Sequence, residues 1–176
     1  WIEDEGWHRD LRYKPDALTT EVTLTHHKLG IEIVCNDVVD IHQPVYFRHL
    51  TVRDLAGSAR DVRIFFHCDL SINGSPVGDT ANYDPTTRAV IMYKDDAYFL
   101  INTSDQNKAG VEHWAIGAKR VGGAEGTWRD AEDGQLGRNA ISQGSVDATV
   151  GINLQVKAFE TQEATMWMVC TQDYDE

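Results

Sequence analysis

Apolar and polar residues alternate with a period of two through most of this chain. In residues 62–70, Val, Ile, Phe, Cys and Leu alternate with Arg, Phe, His and Asp, and the same spacing recurs in residues 21–25, 31–35 and 152–158. A period of two places successive side chains on opposite faces of a strand, so each run predicts a half-buried strand. No segment sustains a helical period. We therefore predict an all-β protein with little or no helix, apart from one short helical turn within residues 128–140.

Turn residues separate these runs at short intervals. Lys94-Asp95-Asp96 predicts a tight hairpin, and residues 54–60, which contain Ala56-Gly57-Ser58, predict a second hairpin between two long strands. Short strands joined by Gly, Asp, Asn and Pro turns are typical of antiparallel sheets packed face to face. The expected architecture is an antiparallel two-sheet sandwich.

Length and charge restrict the class of protein further. The 176 residues suit a single β-sandwich domain over 1–176, and 41% apolar residues are enough for a core. Sixteen basic against 28 acidic residues give a net charge of −12, which argues against nucleic acid and anionic membranes as partners. No apolar run approaches the roughly 20 residues that a membrane-spanning helix needs.

The three cysteines lie far apart and form no CxxC pair, so a zinc or redox motif is not encoded. Cys35, Cys68 and Cys170 each lie in an apolar run, and we expect all three to be buried thiols in a reducing compartment. This favours the cytoplasm as the location of the protein.

The candidate functional segment is the glycine-rich stretch 122–137. Long polar loops on a β scaffold are frequent places for function. In one interpretation an aromatic ring stacks on a sugar or on a partner surface while an arginine and the acids form hydrogen bonds. In the other, the tryptophan closes one end of the sandwich and the arginine pairs with a local acid. The residues concerned are Trp128, Arg129, Asp130, Glu132 and Asp133.

Cofactor and metal motifs are not evident in this segment. A calcium loop of the EF-hand type needs glycine at its sixth position, whereas Gly134 falls at the fifth. The phosphate-binding ending GK[ST] is missing, and three carboxylates would repel an anion. His67 and His113 are interpreted as structural histidines. We therefore expect no metal and no cofactor in this chain.

The final run, residues 165–170, is apolar on both faces. A strand of this kind is either central between two layers or covered by a neighbour that the chain does not contain. The second alternative fits a fragment of a longer chain.

Taken together, these segments resemble the N-terminal domain of family-15 glycoside hydrolases, which include prokaryotic glucoamylases, glucodextranases and related trehalases. Two blocks carry the resemblance across nearly the whole chain. The first comprises Trp7 with Arg12-Tyr13-Lys14-Pro15-Asp16-Ala17-Leu18 and Glu21, followed by Gly30-Ile31-Glu32-Ile33 and Asp37-Val38-Val39-Asp40. The second comprises Gly126-Thr127-Trp128-Arg129-Asp130-Ala131-Glu132-Asp133-Gly134 and Gln143-Gly144-Ser145-Val146-Asp147.

The resemblance implies an antiparallel two-sheet super-sandwich, followed in the complete protein by a helical α/α-barrel domain. In that family the general acid and base are glutamates of the helical domain, so no catalytic residue is carried over to this chain. The expected function is a non-catalytic domain that packs on and supports its own C-terminal helical catalytic domain, in an enzyme that hydrolyses α-glucosidic bonds. An oligosaccharide is the second expected partner.

Two other functions remain open from the sequence. One is a free-standing carbohydrate-binding module, with Trp128, Trp114 or Trp7 as stacking platform. The other is a sugar-acting sandwich of the aldose mutarotase type, in which His67 or His113 would join a glutamate as an acid–base pair.

Overall fold

The computed structural model describes residues 1–174, and strands dominate this part of the chain. Two short 3₁₀ helices occur, Ile72–Gly74 and Thr127–Asp133. No helix in the described range is long and apolar enough to cross a membrane. The strands are β1 (His8–Tyr13), β2 (Thr20–His26), β3 (Ile31–Val39), β4 (Val45–Asp54), β5 (Arg60–Cys68), β6 (Asp79–Asp84), β7 (Ala89–Lys94), β8 (Ala97–Asp105), β9 (His113–Ala118), β10 (Ile141–Gly144), β11 (Val146–Val156) and β12 (Thr161–Thr171).

The strands form two antiparallel sheets of unequal size. The large sheet has nine strands in the order β1-β2-β3-β4-β12-β8-β7-β6-β10, and the small sheet has three in the order β5-β11-β9. The predicted all-β antiparallel two-sheet sandwich is confirmed, as is the prediction of little helix. The 3₁₀ helix Thr127–Asp133 overlaps the expected helical turn.

The core lies between the small sheet and the middle of the large one. Strand β11 is central in the small sheet and points Ala148, Val150 and Ile152 inward. The large sheet contributes buried side chains to the same core, such as Val52 and Ile101, and both are fully inaccessible to solvent. Alternation with a period of two therefore sorts the residues of both sheets onto inner and outer faces.

The structure bears on the two alternatives given for the apolar strand β12, which were a position between two layers or cover by a neighbour that the chain does not contain. This strand is central in its sheet, between β4 and β8. Met166 faces inward and is buried, whereas the adjacent Trp167 lies on the outer face of the large sheet and is half-buried. Both faces of this strand are apolar, although only its inner face packs on the small sheet.

The hairpin at Lys94-Asp95-Asp96 is confirmed. Lys94 pairs with Ala97, so that Asp95 and Asp96 alone make the turn between β7 and β8. Asp95 has a φ of 53°, in the left-handed region that aspartate tolerates better than most residues.

The hairpin predicted for residues 54–60 is wrong, because β4 and β5 belong to different sheets. The segment crosses between the layers around the buried carboxylate of Asp54. This carboxylate accepts hydrogen bonds from the backbone N–H groups of Gly57 (2.7 Å), Ser58 (3.1 Å) and Phe159 (3.1 Å), and it forms an ion pair with Arg60. Turn residues alone do not distinguish a hairpin from such a crossing.

The cysteine prediction holds for two of the three thiols. Cys35 and Cys68 are buried, and burial raises the pKa of Cys35 to about 11 and that of Cys68 to about 12. Cys170 is exposed, so its predicted burial is wrong. It lies near the end of the eleven-residue strand β12, which extends past the core.

Replacing Ile101 by Ala is expected to destabilise the chain by about 2–5 kcal/mol, because the side chain is fully buried and its removal leaves a cavity. Ile141→Ala is the matched control, since Ile141 is 63% exposed. Urea denaturation measures both. Equal midpoints for the two variants would contradict the proposed position of the core.

Low pH is expected to destabilise the segment 54–60, which crosses from the large sheet to the small sheet around Asp54. Burial alone would raise the pKa of this carboxylate, but the N–H groups of Phe159, Gly57 and Ser58 outweigh burial and hold the pKa below its ordinary value. A lowered pKa stabilises the fold above the unfolded value of about 3.9, and this stability is lost as the pH falls through the folded pKa.

The test compares denaturant midpoints of the wild type and Asp54→Asn between about pH 6 and pH 2.5. The variant should be less stable at the higher pH and lose less stability on acidification. Parallel pH profiles for the two proteins would rule out Asp54 as a source of acid lability.

Candidate functional site

The 3₁₀ helix Thr127–Asp133 lies on the outer face of the small sheet. Ala131 and Leu136 are buried there in a second apolar cluster with Ala115, and Phe65 packs against it. The candidate segment is therefore anchored by its own hydrophobic contacts and forms a partial third layer over the small sheet.

Asp147 attaches the start of this helix to the small sheet. Its buried carboxylate accepts the backbone N–H of Thr127 at 3.1 Å and lies 2.8 Å from Nε2 of His67. The Thr127 hydroxyl lies 2.9 Å from that of Thr149. A Cβ at Gly126, whose φ is 127°, would lie 2.4 Å from an Asp147 oxygen, so the close approach requires glycine here.

Trp128 is half-buried and already has partners on several sides. Its Nε1 donates to the carbonyl oxygen of Glu125 at 3.1 Å. The ring of Trp1 meets it edge-on, with centroids 5.9 Å apart, and the guanidinium of Arg129 lies 4.8 Å from its centroid. These contacts occupy part of the surface that a sugar ring would need for stacking.

Arg129 is paired with acids of its own segment. Its Nε donates to the Glu125 carboxylate, and its Nη1 lies 3.3 Å from both carboxylate oxygens of Glu132. The hydrogen bond from Arg129 lowers the pKa of Glu125. Since all three groups are exposed, such ion pairs contribute little to stability.

The structure thus brings together three of the five predicted site residues and separates the other two. Trp128, Arg129 and Glu132 form one cluster with Glu125. Asp130 instead accepts the N–H of Gly137 at 2.5 Å, and Asp133 accepts the N–H of Gln135 at 2.8 Å, so both carboxylates stabilise turns. Within residues 1–174 no three His, Cys, Asp or Glu side chains converge on a position for a metal ion.

An open cavity of about 580 Å³ lies between the segment 123–130 and strand β9. Glu125, Arg129 and Asp130 line one side, and residues 115–118 line the other. The cavity has polar groups but lacks an exposed aromatic face, because Trp128 is not among its lining residues.

The other two tryptophans considered as platforms are also engaged. Trp114 stacks on Tyr83 with centroids 3.7 Å apart, and Arg138 lies 5.6 Å from the Trp114 centroid. Trp7 packs against the core and meets the ring of His26 edge-on at 5.2 Å.

The two histidines considered for acid–base chemistry have different partners. His67 is held by Asp147, whereas Nε2 of His113 lies 3.0 Å from the amide nitrogen of Asn153. Burial, with the charge of Arg138, lowers the pKa of His113 and so favours its neutral form.

Sequence reasoning did not assign a role to Asp147 or Lys119. Asp147 lies in the second block of the resemblance, and the structure shows that its carboxylate joins the two parts of that block. Lys119 is 1% exposed; its ammonium pairs with Asp69 and donates to the carbonyl of Leu70 at 2.7 Å. No local pattern indicates such a buried lysine, because both of its partners lie about fifty residues away in the chain.

Neither the family models nor the curated protein sequences give a match to this chain. Several solved structures do match this chain. A bacterial glucoamylase complexed with acarbose matches 98% of this chain at 13% identity and a TM-score of 0.75, over 25% of its own length. A putative kojibiose phosphorylase from the human microbiome matches 88% of this chain at 10% identity and a TM-score of 0.51, over 18% of its own length. A heparinase III matches 99% at 6% identity and a TM-score of 0.55, over 22% of its length.

The fold is therefore that of an antiparallel β-sandwich, which in these three structures makes up between 18% and 25% of a much longer chain. The particular likeness is to the bacterial glucoamylase, and this chain spans about a quarter of the length of that enzyme. At the level of the fold this confirms the resemblance seen in the sequence.

Replacing Asp147 by Ala is expected to destabilise the chain by about 1–3 kcal/mol, because the buried N–H of Thr127 loses its acceptor. The tryptophan emission should also shift as Trp128 becomes more exposed. Asp133→Ala is the control, since Asp133 is exposed and stabilises only a local turn. Unchanged unfolding of Asp147→Ala would refute the anchoring role of this carboxylate.

Proposed function

We propose that this chain is the non-catalytic sandwich domain of a larger, glucoamylase-like glycoside hydrolase, and that it supports a helical catalytic domain. The observation that carries the proposal is an apolar, uncharged area on the outer face of the large sheet. This area is the surface on which the catalytic domain packs.

Strand register defines the area. Trp167 pairs with Phe47 and with Asn102, and Val169 pairs with Val45 and with Leu100. Directly paired residues share a face of the sheet, so these side chains form two adjacent rows. We call the area the outer apolar face; its apolar members that reach solvent are Val38, Val45, Phe47, Leu100, Trp167 and Val169.

The charge distribution supports docking at this face. Across β4, β12, β8 and β7 the two rows contain no Asp, Glu, Lys or Arg, although the chain as a whole has 28 acidic and 16 basic residues. A contiguous apolar area without charges is characteristic of the core of a protein interface.

The acids of the candidate segment support a non-catalytic role. Hydrolysis of a glycosidic bond needs two carboxyl groups, one of which acts as an acid with a raised pKa. The pKa of Glu125 is lowered instead, and Glu132 shares the same arginine. Asp130 and Asp133 are engaged by backbone N–H groups.

The alternative of a free-standing carbohydrate-binding module is less well supported. Such a module needs an open aromatic face, and Trp128, Trp114 and Trp7 are each in contact with other side chains. The cluster of Trp128, Arg129, Glu125 and Glu132 lies over the small sheet, on the opposite side of the sandwich from the outer apolar face, and it presents charged groups rather than an open aromatic ring to an oligosaccharide.

The proposal predicts that Trp167→Asp uncouples this domain from the rest of the polypeptide encoded by the complete reading frame. Calorimetry of the wild-type polypeptide should show coupled unfolding, whereas the variant should show a separate transition at lower temperature. Leu18→Asp is the control, because Leu18 is 88% exposed in the turn between β1 and β2.

Hydrolysis assays complete the test. The complete polypeptide should cleave α-glucosidic bonds, and the 176-residue chain alone should not. A reading frame without a helical domain, cleavage of maltooligosaccharides by this chain alone, or identical calorimetric traces for Trp167→Asp and wild type would each overturn the proposal.

A further inference from the structure

The connection between β5 and β6 contains Asn73-Gly74, the only asparagine–glycine pair in the sequence. This connection leads from the small sheet to the large one. Asn73 and Gly74 end the short 3₁₀ helix Ile72–Gly74, and both residues are exposed. Every other asparagine of the chain is followed by a residue with a side chain.

An exposed asparagine followed by glycine has a route to covalent modification that needs no enzyme, oxidant or reductant. A base removes the proton from the glycine N–H, and this backbone nitrogen attacks Cγ of the asparagine. A C–N bond forms, the Cγ–Nδ2 bond breaks, and the nitrogen leaves as ammonia after taking up a proton. Water then opens the five-membered succinimide ring to aspartate or isoaspartate. Glycine favours the attack because it has no side chain to obstruct the approach.

The surroundings of Gly74 leave room for this ring closure. A Cβ at Gly74 would meet no atom within 4 Å. The backbone nitrogen of Gly74 donates to the carbonyl of Ser71 at 3.0 Å, and this hydrogen bond must open before the attack. A single exposed 3₁₀ turn opens locally at low free-energy cost, so the nitrogen becomes available without unfolding of the sheets.

The other asparagines are less suited to the same reaction. Asn102 is 7% exposed and lies within β8. Asn107 is the best internal comparison, because it is exposed and lies in the turn after β8. Its successor is Lys108, whose side chain hinders attack by the backbone nitrogen. Exposure and a turn are thus shared by Asn73 and Asn107, and the glycine distinguishes them.

The turn at Asn73 is held by a lysine from another strand. Lys94, the last residue of β7, donates to the carbonyl oxygens of Ile72 at 3.4 Å and of Ser75 at 3.0 Å. Its ammonium also lies 3.7 Å from the carboxylate of Asp79, which is fully buried. Removal of Lys94 would leave this buried carboxylate without its ion pair, which is costly. Lys94 therefore stays in place when the turn changes shape.

We propose that Asn73-Gly74 is a site of spontaneous deamidation, and that the modification releases the turn 72–75 from Lys94. The Asn73 amide lies 3.5 Å from the carboxylate of Asp95 and donates to it. Deamidation puts a second carboxylate there, and like charges at this distance repel each other. Isoaspartate also adds one methylene to the main chain of a three-residue helix. The carbonyls of Ile72 and Ser75 then cannot both remain on Lys94.

The release is confined to the middle of the connection. At its start, Lys119 pairs with Asp69 and donates to the carbonyl of Leu70 at 2.7 Å. Lys119 is 1% exposed, so this contact is shielded from solvent. At its end, Asp79 begins β6 and pairs with Gly144 of β10. Residues 71–78 therefore loosen between two fixed ends.

The first test incubates the 176-residue chain at several values between about pH 7 and pH 9 and follows its asparagines by peptide mapping with mass spectrometry. Each deamidation adds about 1 Da. Asn73 should react at least about tenfold faster than Asn107. The rate should rise several-fold with pH, because more of the Gly74 nitrogen is deprotonated. Enzymatic methylation of isoaspartate should label the peptide that contains residue 73, and Asn73→Gln should abolish this label.

The second test measures the release through backbone hydrogen exchange. Asn73→Asp introduces the carboxylate of the product, and amides of residues 71–78 should exchange several-fold faster than in the wild type. Asn107→Asp is the matched control, since it makes the same charge change in another exposed turn and should leave this exchange unaltered. Both positions are exposed, so both variants should fold.

Equal rates at Asn73 and Asn107, or a rate at Asn73 that does not change with pH, would overturn the assignment of the site. Unchanged exchange of residues 71–78 in Asn73→Asp would overturn the release. Neither test involves the outer apolar face or a helical domain. Their failure would therefore leave the proposed function intact, and failure of the Trp167→Asp test would leave the deamidation site intact.

Discussion

The unequal size of the two sheets is the constraint on which the rest of the structure depends. Three strands can cover only part of one face of a nine-stranded sheet. The core is therefore confined to the middle of the molecule, where β11 lies over β4, β12 and β8. At the β1 end of the large sheet, Leu11 lies on the inner face and is nevertheless 68% exposed. The outer apolar face lies on the other side of the large sheet and leaves apolar surface available to a further protein segment.

Buried carboxylates join segments that the sheets alone would leave apart. Asp54 holds the crossing from the large sheet to the small one, and it also binds the turn before β12 through Phe159. Asp147 holds the 3₁₀ helix on the small sheet. Both carboxylates accept backbone N–H groups, which satisfies buried donors that would otherwise cost free energy. An acidic composition thus contributes to the architecture as well as to solubility.

The sequence was sufficient to predict where several strands lie, but not which strands pair with one another. Alternation with a period of two predicted β5 and β11, and the two-residue turn predicted the hairpin at Asp95. The same reasoning failed at residues 54–60, because the role of Asp54 depends on Phe159, more than a hundred residues later. For the candidate site, the sequence identified the segment containing Trp128, but it could not show that Arg129 and Trp1 cover that ring or that Asp147 anchors the helix. These contacts are set by tertiary packing, which local patterns do not encode.

The position of β12 has a consequence for synthesis on the ribosome. This strand comes last among the described strands, yet it fills the centre of the large sheet between β4 and β8. Until it emerges from the exit tunnel, the nascent chain presents two unpaired strand edges and an incomplete core. The sheet can close only through contacts between residues far apart in sequence, which makes folding slow. Nascent chains of this protein therefore pass through a period in which chaperones that bind apolar segments would find exposed sites on β4 and β8.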